Sequence, residues 1–175
     1  MSLRTNLVAK MAYASLLLVD VVAIPPSGSP FFQFVAANPD LLGGLPAYIH
    51  TSLVRTYIEA ASHRGLREDD LEALVQPWTG EDGQPAFYRQ IAHYDERFLR
   101  DNEDRLGQLD IPVRIQWGTR DTWIPTDLAH RLHDLIPGAT LALVDGVGHL
   151  MHYDAPVRLA TEIRAWLEHT QHSIA

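Results

Sequence analysis

The sequence predicts an α/β fold with a small parallel sheet, and three observations carry that prediction. Three short apolar runs, far apart in the chain, read as strands: LLLVDVV from Leu16, VRIQW from Val113 and TLALV from Thr140, each ending near Gly, Asp or Pro. The second and third are joined by a stretch of helical periodicity, and another helical stretch follows the third. Strand, helix, strand, helix in that order implies a parallel pair with a right-handed crossover.

Each element has its own signature. Leu16-Leu17-Leu18-Val19 followed by Val21-Val22 has the near-continuous apolar character of a fully buried strand, with the acidic Asp20 near its end. In PTDLAHRLHDLIPG, Leu128, Leu132, Leu135 and Ile136 recur at helical spacing behind Thr126 and Asp127 as capping residues, and Pro137-Gly138 is the stop. The closing helix, DAPVRLATEIRAWLEH, takes Asp154 as its N-cap and Pro156 in its first turn. Leu159, Ile163, Trp166 and Leu167 define one face of it.

The stretch from Pro25 to Leu109 reads differently, with Pro, Gly and Asn punctuation around helical segments and no strand pattern. Tyr48, Ile49, Leu53, Tyr57 and Ile58 fit one helical face ending at Gly65, and LREDDLEALVQPW forms a second helix stopping near Pro77. A third helix begins around Gln84-Pro85 and runs past Ile91. A fourth carries DERFLRDNEDRL, whose dense mixed charge marks a solvated face. Residues 25–109 are therefore read as a helical insertion into a core built from residues 1–24 and 110–175.

Bulk composition narrows the function. A chain of 175 residues with 46% hydrophobic and 21% charged side chains fits one soluble globular domain carrying an insertion. Fourteen basic against 22 acidic side chains give a net charge of -8, which repels polyanions and argues against a nucleic-acid partner. The absence of cysteine excludes disulfides and thiolate zinc sites, and makes a cytoplasmic location the expectation. The basic MSLRTNLVAK followed by an apolar run resembles a secretory signal, but Asp20 interrupts the run, and no segment is long enough to span a membrane.

Two loops concentrate the chemistry. WGTRDTWIP places Asp121 just beyond the end of a buried strand, on the carboxyl edge of the sheet where open α/β proteins put their ligands. GVGHLMHYDAP does the same for His149, with Gly146 and Gly148 letting the loop turn tightly. A carboxylate at the first tip can accept the Nδ1 proton of the histidine, fix its tautomer and stabilise the imidazolium formed when Nε2 removes a proton from a nucleophile.

The combination of a strand with W-G-x-x-D-x-x-I-P, a helix ending in I-P-G-A, and G-x-G-H before a final helix resembles the α/β-hydrolase superfamily over Ile111 to about Leu167. The strand LLLVD and the helical insertion resemble its sixth strand and cap. The resemblance implies a partial α/β-hydrolase sheet of three parallel strands with an inserted α-helical cap, Asp121 as the orienting acid, His149 as the general base, and no cofactor or metal. It also implies an order of nucleophile, acid and histidine. The nucleophile elbow G-x-S-x-G occurs nowhere in the sequence, and only 15 residues precede Leu16, fewer than the roughly 30 a strand-helix-strand unit takes. The elbow, the five preceding strands and the oxyanion-hole amides are thus expected outside this chain.

The remaining polar candidates have plainer readings. Ser27 and Ser29 in PPSGSP are a turn signal first. Asp20 reads as a structural residue at a strand end; the resemblance also allows it as the alternative acid in place of Asp121, since some members of the superfamily carry the acid after the sixth strand. His130-x-x-His133 and His149-x-x-His152 have the spacing of a shared metal, but no carboxylate completes a ligand set. Phe31, Phe32, Trp78 and Trp123 are the candidates for contact with substrate, although aromatics spaced as Phe31, Phe32, Phe34, Trp78 and Tyr88 are more often helix-packing core.

The expected function is a hydrolase of an ester, amide or related bond in a small apolar substrate. Its alternatives are the corresponding half of a dehalogenase or epoxide hydrolase, which uses an Asp nucleophile, and a non-catalytic binding or assembly module. A strand of buried type at Leu16–Val19 with an open parallel edge further predicts pairing there, as a homodimer or with a complementing N-terminal half.

Overall fold

The structure, a computed structural model, describes residues 2–172. The three apolar runs meet in one parallel sheet in the order β1 (Leu16–Val19), β2 (Val113–Gly118), β3 (Thr140–Val144). Val19 pairs with Gln116 and Gly118 with Val144, so all three carboxyl ends lie on one edge. Helix α1 (Ser2–Leu7) precedes β1 and sends Leu3 and Leu7 into the sheet core.

β1 is shorter than its apolar run predicts. It stops at Val19 because Asp20 adopts a left-handed φ of 40° and turns its carboxylate to accept a hydrogen bond from Gly118 N at 2.7 Å. β3 is less buried than expected: Leu143 is exposed and only Val144 is buried. Among the described residues, no further strand pairs with the outer edges of β1 or β3.

Six helices follow β1: α2 (Pro30–Ala37), α3 (Pro39–Gly43), α4 (Ala47–Glu59), α5 (Glu68–Val75), α6 (Gly80–Ala92) and α7 (Glu96–Glu103). α2 to α6 enclose their own core of Val35, Val54, Ile58, Leu71, Phe87 and Tyr88, separate from that of the sheet. Leu106 and Leu109, at the end of the segment read as an insertion, pack in the sheet core.

The face of α4 departs from the sequence reading. Tyr48 and Ile49 are exposed, the helix ends at Glu59 rather than near Gly65, and the buried stripe is His50, Val54 and Ile58. The reason is the polar payload of His50. Its Nε2 donates to the Trp78 carbonyl at 2.7 Å, which leaves Nδ1 to accept from the Tyr88 hydroxyl at 2.9 Å. α6 likewise starts at Gly80, ahead of the Gln84-Pro85 predicted to open it.

α8 (Thr126–Leu135) connects β2 to β3 and lays Leu128, Ala129 and Leu132 on Val113, Ile115 and Trp117. Its predicted Thr126/Asp127 cap is absent: Pro125 occupies the N-cap position and no side chain caps it. The chain ends in α9 (Met151–Asp154) and α10 (Pro156–His172). Of the predicted α10 face, Trp166 is buried while Ile163 and Leu167 are exposed. Among the described residues, no helix is long and apolar enough to cross a membrane.

Candidate active site

The tip of β2 is closed by its own main chain. Asp121 has a fully buried side chain, and its Oδ1 accepts from the amides of Trp123 and Ile124, both at 2.8 Å. The buried Trp117 indole donates to the Ile124 carbonyl at 3.1 Å, tying the loop back onto the strand that launched it. One carboxylate oxygen is thus committed to the backbone, and Oδ2 is left for a partner.

The tip of β3 is stitched to the same loop. Thr119 N donates to Val144 O at 3.0 Å and Arg120 N to Val147 O at 2.9 Å, while the Thr119 hydroxyl bridges Asp145 and Gly146 N. Gly146 takes a left-handed φ of 66°, which only glycine adopts without strain. Gly118 has a different reason to be glycine: a Cβ there would lie 2.3 Å from the Val147 carbonyl oxygen. The two loops are in backbone contact, and that contact sets the distance between the side chains they carry.

His149 Nδ1 lies 2.9 Å from Asp121 Oδ2. A buried carboxylate accepts, so Nδ1 carries the proton and the neutral ring presents Nε2 as an acceptor. The imidazole is largely buried, rests against Trp123 with ring centroids 4.9 Å apart, and lines an apolar cavity of about 170 Å³.

Asp154, predicted as the N-cap of the closing helix, does something else. It lies in α9, and its carboxylate accepts from Gly148 N at 2.6 Å, His63 N at 2.9 Å, Arg64 N at 3.4 Å and the Ser62 hydroxyl. Burial alone would raise its pKa, but these hydrogen bonds outweigh that and hold it below the usual carboxylate value. Leu150 N donates to Ala61 O and the Thr122 hydroxyl to Ala60 O, so both loops are fastened to the end of α4.

Asp20 sits beneath the pair. Its Oδ2 is buried without a partner, and its pKa is pushed up to about 7, chiefly by burial, with the nearby Asp121 and Asp154 charges adding to it against the Gly118 amide and His149.

The other sequence candidates separate. Phe32 and Trp123 line the cavity beside His149, and Trp78 lines its neighbour. Phe31 instead packs against the Tyr57 ring at 5.0 Å, Phe34 is exposed, and Tyr88 is core. Ser29 caps α2 through Phe32 N; Ser27 is buried at the cavity wall, its hydroxyl 2.8 Å from that of Tyr94. Asp154, Tyr57 and Tyr94 were not singled out from the sequence as site residues. Their placement depends on contacts tens of residues away, which no local pattern signals. Among the described residues, no group of three or more His, Asp and Glu side chains could hold a metal ion.

The fold recurs in known proteins. An α/β hydrolase fold protein from Burkholderia ambifaria superposes with a TM-score of 0.89 and 42% identity, covering 93% of this chain and 60% of that one. The chain belongs to the α/β-hydrolase superfamily. The uncharacterized hydrolase YugF of Bacillus subtilis is 26% identical over 91 residues, 49% of this α/β-hydrolase chain and 33% of YugF. An esterase from Exiguobacterium antarcticum shares the fold at 15% identity with a TM-score of 0.72, covering 95% of this chain and 62% of that one. No family model matches. This α/β-hydrolase chain spans less than two thirds of the length of each of these relatives.

Proposed function

We propose that the chain is the acid-and-histidine part of a hydrolase cleaving an ester, amide or related bond of a small apolar substrate. Asp121 is the orienting acid, His149 the general base, and the helices of residues 25–109 the cap over the substrate. The observation that carries this is the Asp121 Oδ2 to His149 Nδ1 contact of 2.9 Å, with Oδ1 locked by two amides and the ring facing an apolar cavity.

In this reading a hydroxyl nucleophile gives its proton to His149 Nε2 as its oxygen bonds to the substrate carbonyl carbon. Asp121 stabilises the imidazolium. The imidazolium returns the proton to the leaving alcohol or amine, and a water activated by the same Nε2 releases the acid.

The nucleophile comes from residues outside this sequence, carried by a strand that pairs with the open edge of β1. A groove of about 520 Å³ runs along that edge past Leu3, Tyr13, Leu17, Val19 and Val21, and the Burkholderia ambifaria protein extends well beyond the part this chain covers. An unpaired parallel edge of apolar residues is stable only when covered.

The test is hydrolysis of p-nitrophenyl butyrate by this chain alone and mixed with the part of the Burkholderia ambifaria protein that it does not cover, each with wild type and His149→Ala. Turnover that needs the mixture and falls at least 10³-fold in His149→Ala is expected. A His149-dependent activity of the chain alone would overturn the placement of the nucleophile. Equal activity of His149→Ala in the mixture would overturn the triad reading.

A further inference from the structure

Two apolar cavities, not one, lie under the helices, and they share a wall. The first, of about 170 Å³, holds His149, Ser27 and Tyr94; the second, of about 370 Å³, is bounded by Ile58, Trp78, Phe87, Gln90 and Ile91. Phe32, Tyr57 and Trp123 line both. Tyr57 and Trp123 are stacked with centroids 4.4 Å apart and planes 15° from parallel, so the pair forms a flat partition between the chambers. Phe31 backs the Tyr57 ring and Phe87 meets it edge-on, which fixes the partition from the helix side.

We infer that this partition selects the substrate: an uncharged aryl ester whose short acyl group occupies the chamber at His149 while its ring occupies the second. The inference rests on the hydrolase reading for the word ester, and on the chamber chemistry for the rest.

Size assigns the two ends. The chamber at His149, about 170 Å³, is less than half the size of the second, about 370 Å³, so the smaller group of the substrate belongs in the first and the ring in the second. Wall chemistry agrees. The second chamber is faced by the rings of Trp78, Phe87, Tyr57 and Trp123, which favour a planar guest through offset and edge-to-face contacts. Among the described residues, no Lys, Arg, Asp or Glu lines either chamber, so no such side chain compensates the desolvation of a charged substituent. Burial pushes the Tyr57 phenol up to about 12, keeping that wall neutral throughout the working range. Beside His149, the polar side chains of the first chamber are hydroxyls, and those of Ser27 and Tyr94 are paired with each other at 2.8 Å, so the wall they form is neutral.

The test uses non-hydrolysable amide isosteres, so that it reads binding whether or not a nucleophile is present. N-phenylbutanamide, N-phenyldecanamide and N-(4-carboxyphenyl)butanamide are titrated into the chain and followed by tryptophan fluorescence and calorimetry. Wild type is expected to bind N-phenylbutanamide at least tenfold tighter than either of the others. Tyr57→Ala, which merges the chambers, should reverse or abolish the length preference; Tyr57→Phe, which keeps the stack, should retain it and so serves as the folded control.

Equal binding of the short and long amides by wild type would overturn the inference. So would a Tyr57→Ala length ratio within twofold of wild type, or a carboxylated probe that binds as tightly as the neutral one. Selective binding without His149-dependent turnover in the complemented protein leaves the inference standing and removes the hydrolase reading. Turnover without chamber selectivity does the reverse.

Discussion

The two loops at the sheet edge and the helical layer above them are held by different forces. Asp121, Gly118, Thr119, Arg120 and Gly148 are fixed by hydrogen bonds to or from the main chain. The cavity walls are fixed by ring contacts among Phe31, Phe32, Tyr57, Phe87, Tyr94 and Trp123, contributed by α2, α4, α6, the segment after it and the acid loop. The first kind of construction leaves little freedom for the angle and distance between Asp121 and His149. The second tolerates exchange of one apolar ring for another of similar volume. Perturbing the loops should therefore cost far more than exchanging the partition ring in Tyr57→Phe, which keeps the stack.

The largest effect is expected from Asp154→Ala. It removes the buried carboxylate that accepts from the buried Gly148 amide and from the His63 amide beside it, and should cost about 3–5 kcal/mol in urea unfolding. It should also release His149 from Trp123, readable as a change in tryptophan emission. Because the Asp154 pKa is depressed in the folded state, its contribution to stability is full above the unfolded value near 4 and is lost as pH falls through the lower folded value. The variant should therefore lose part of the acid limb of the wild-type stability curve. An unfolding midpoint within experimental error of wild type would mean that the clamp between α4 and the histidine loop holds nothing.

That clamp also marks where the sequence ceased to be readable. The parallel order, the crossover helix and the positions of Asp121 and His149 on strand tips were legible because each depends on a short apolar run followed by Gly, Asp or Pro. The true role of Asp154 was not. In sequence it precedes Ala155-Pro156 and looks like a helix cap, whereas its donors are the residues 62 to 64 of another element. The α4 face failed for a related reason: hydrophobic periodicity counts Tyr48 and Ile49 as inward and His50 as outward, but a histidine with both ring nitrogens satisfied is as good a core residue as leucine. Periodicity also overextended β1, since nothing in LLLVDVV announces that Asp20 will take a left-handed φ.

The next effect is a pH dependence of opposite sign, beneath the same loops. Asp20 has its pKa raised to about 7, so between the unfolded value near 4 and about 7 the folded state binds the extra proton, and stability falls as pH rises across that window. The three-unit interval corresponds to a loss of at most about 4 kcal/mol, complete above pH 7. Asp20→Asn keeps an acceptor for Gly118 N and removes the charge. It should be more stable than wild type at pH 8, indistinguishable at pH 4, and show a flattened profile between. Parallel profiles of the two proteins in thermal melts from pH 4 to 8 would show that Asp20 is ionised throughout.

The smallest stability change with a functional reading comes from Gly118→Ala. The added methyl meets the Val147 and Gly148 carbonyl oxygens at 2.3 and 2.7 Å, so the histidine loop must retreat. Overpacking of this kind costs about 1–3 kcal/mol, less than the loss of Asp154. The loss in catalysis should be disproportionate, because a displacement of about 1 Å in a positioned catalytic group is worth on the order of 10²-fold in rate. In the complemented protein, kcat should fall about a hundredfold with KM for p-nitrophenyl butyrate nearly unchanged, since neither chamber includes Gly118 in its walls. A variant that loses stability without losing kcat would mean that the His149 to Asp121 distance does not depend on the approach of the two loops. The contrast between a main-chain-built sheet edge and a ring-built cavity would then have to be abandoned.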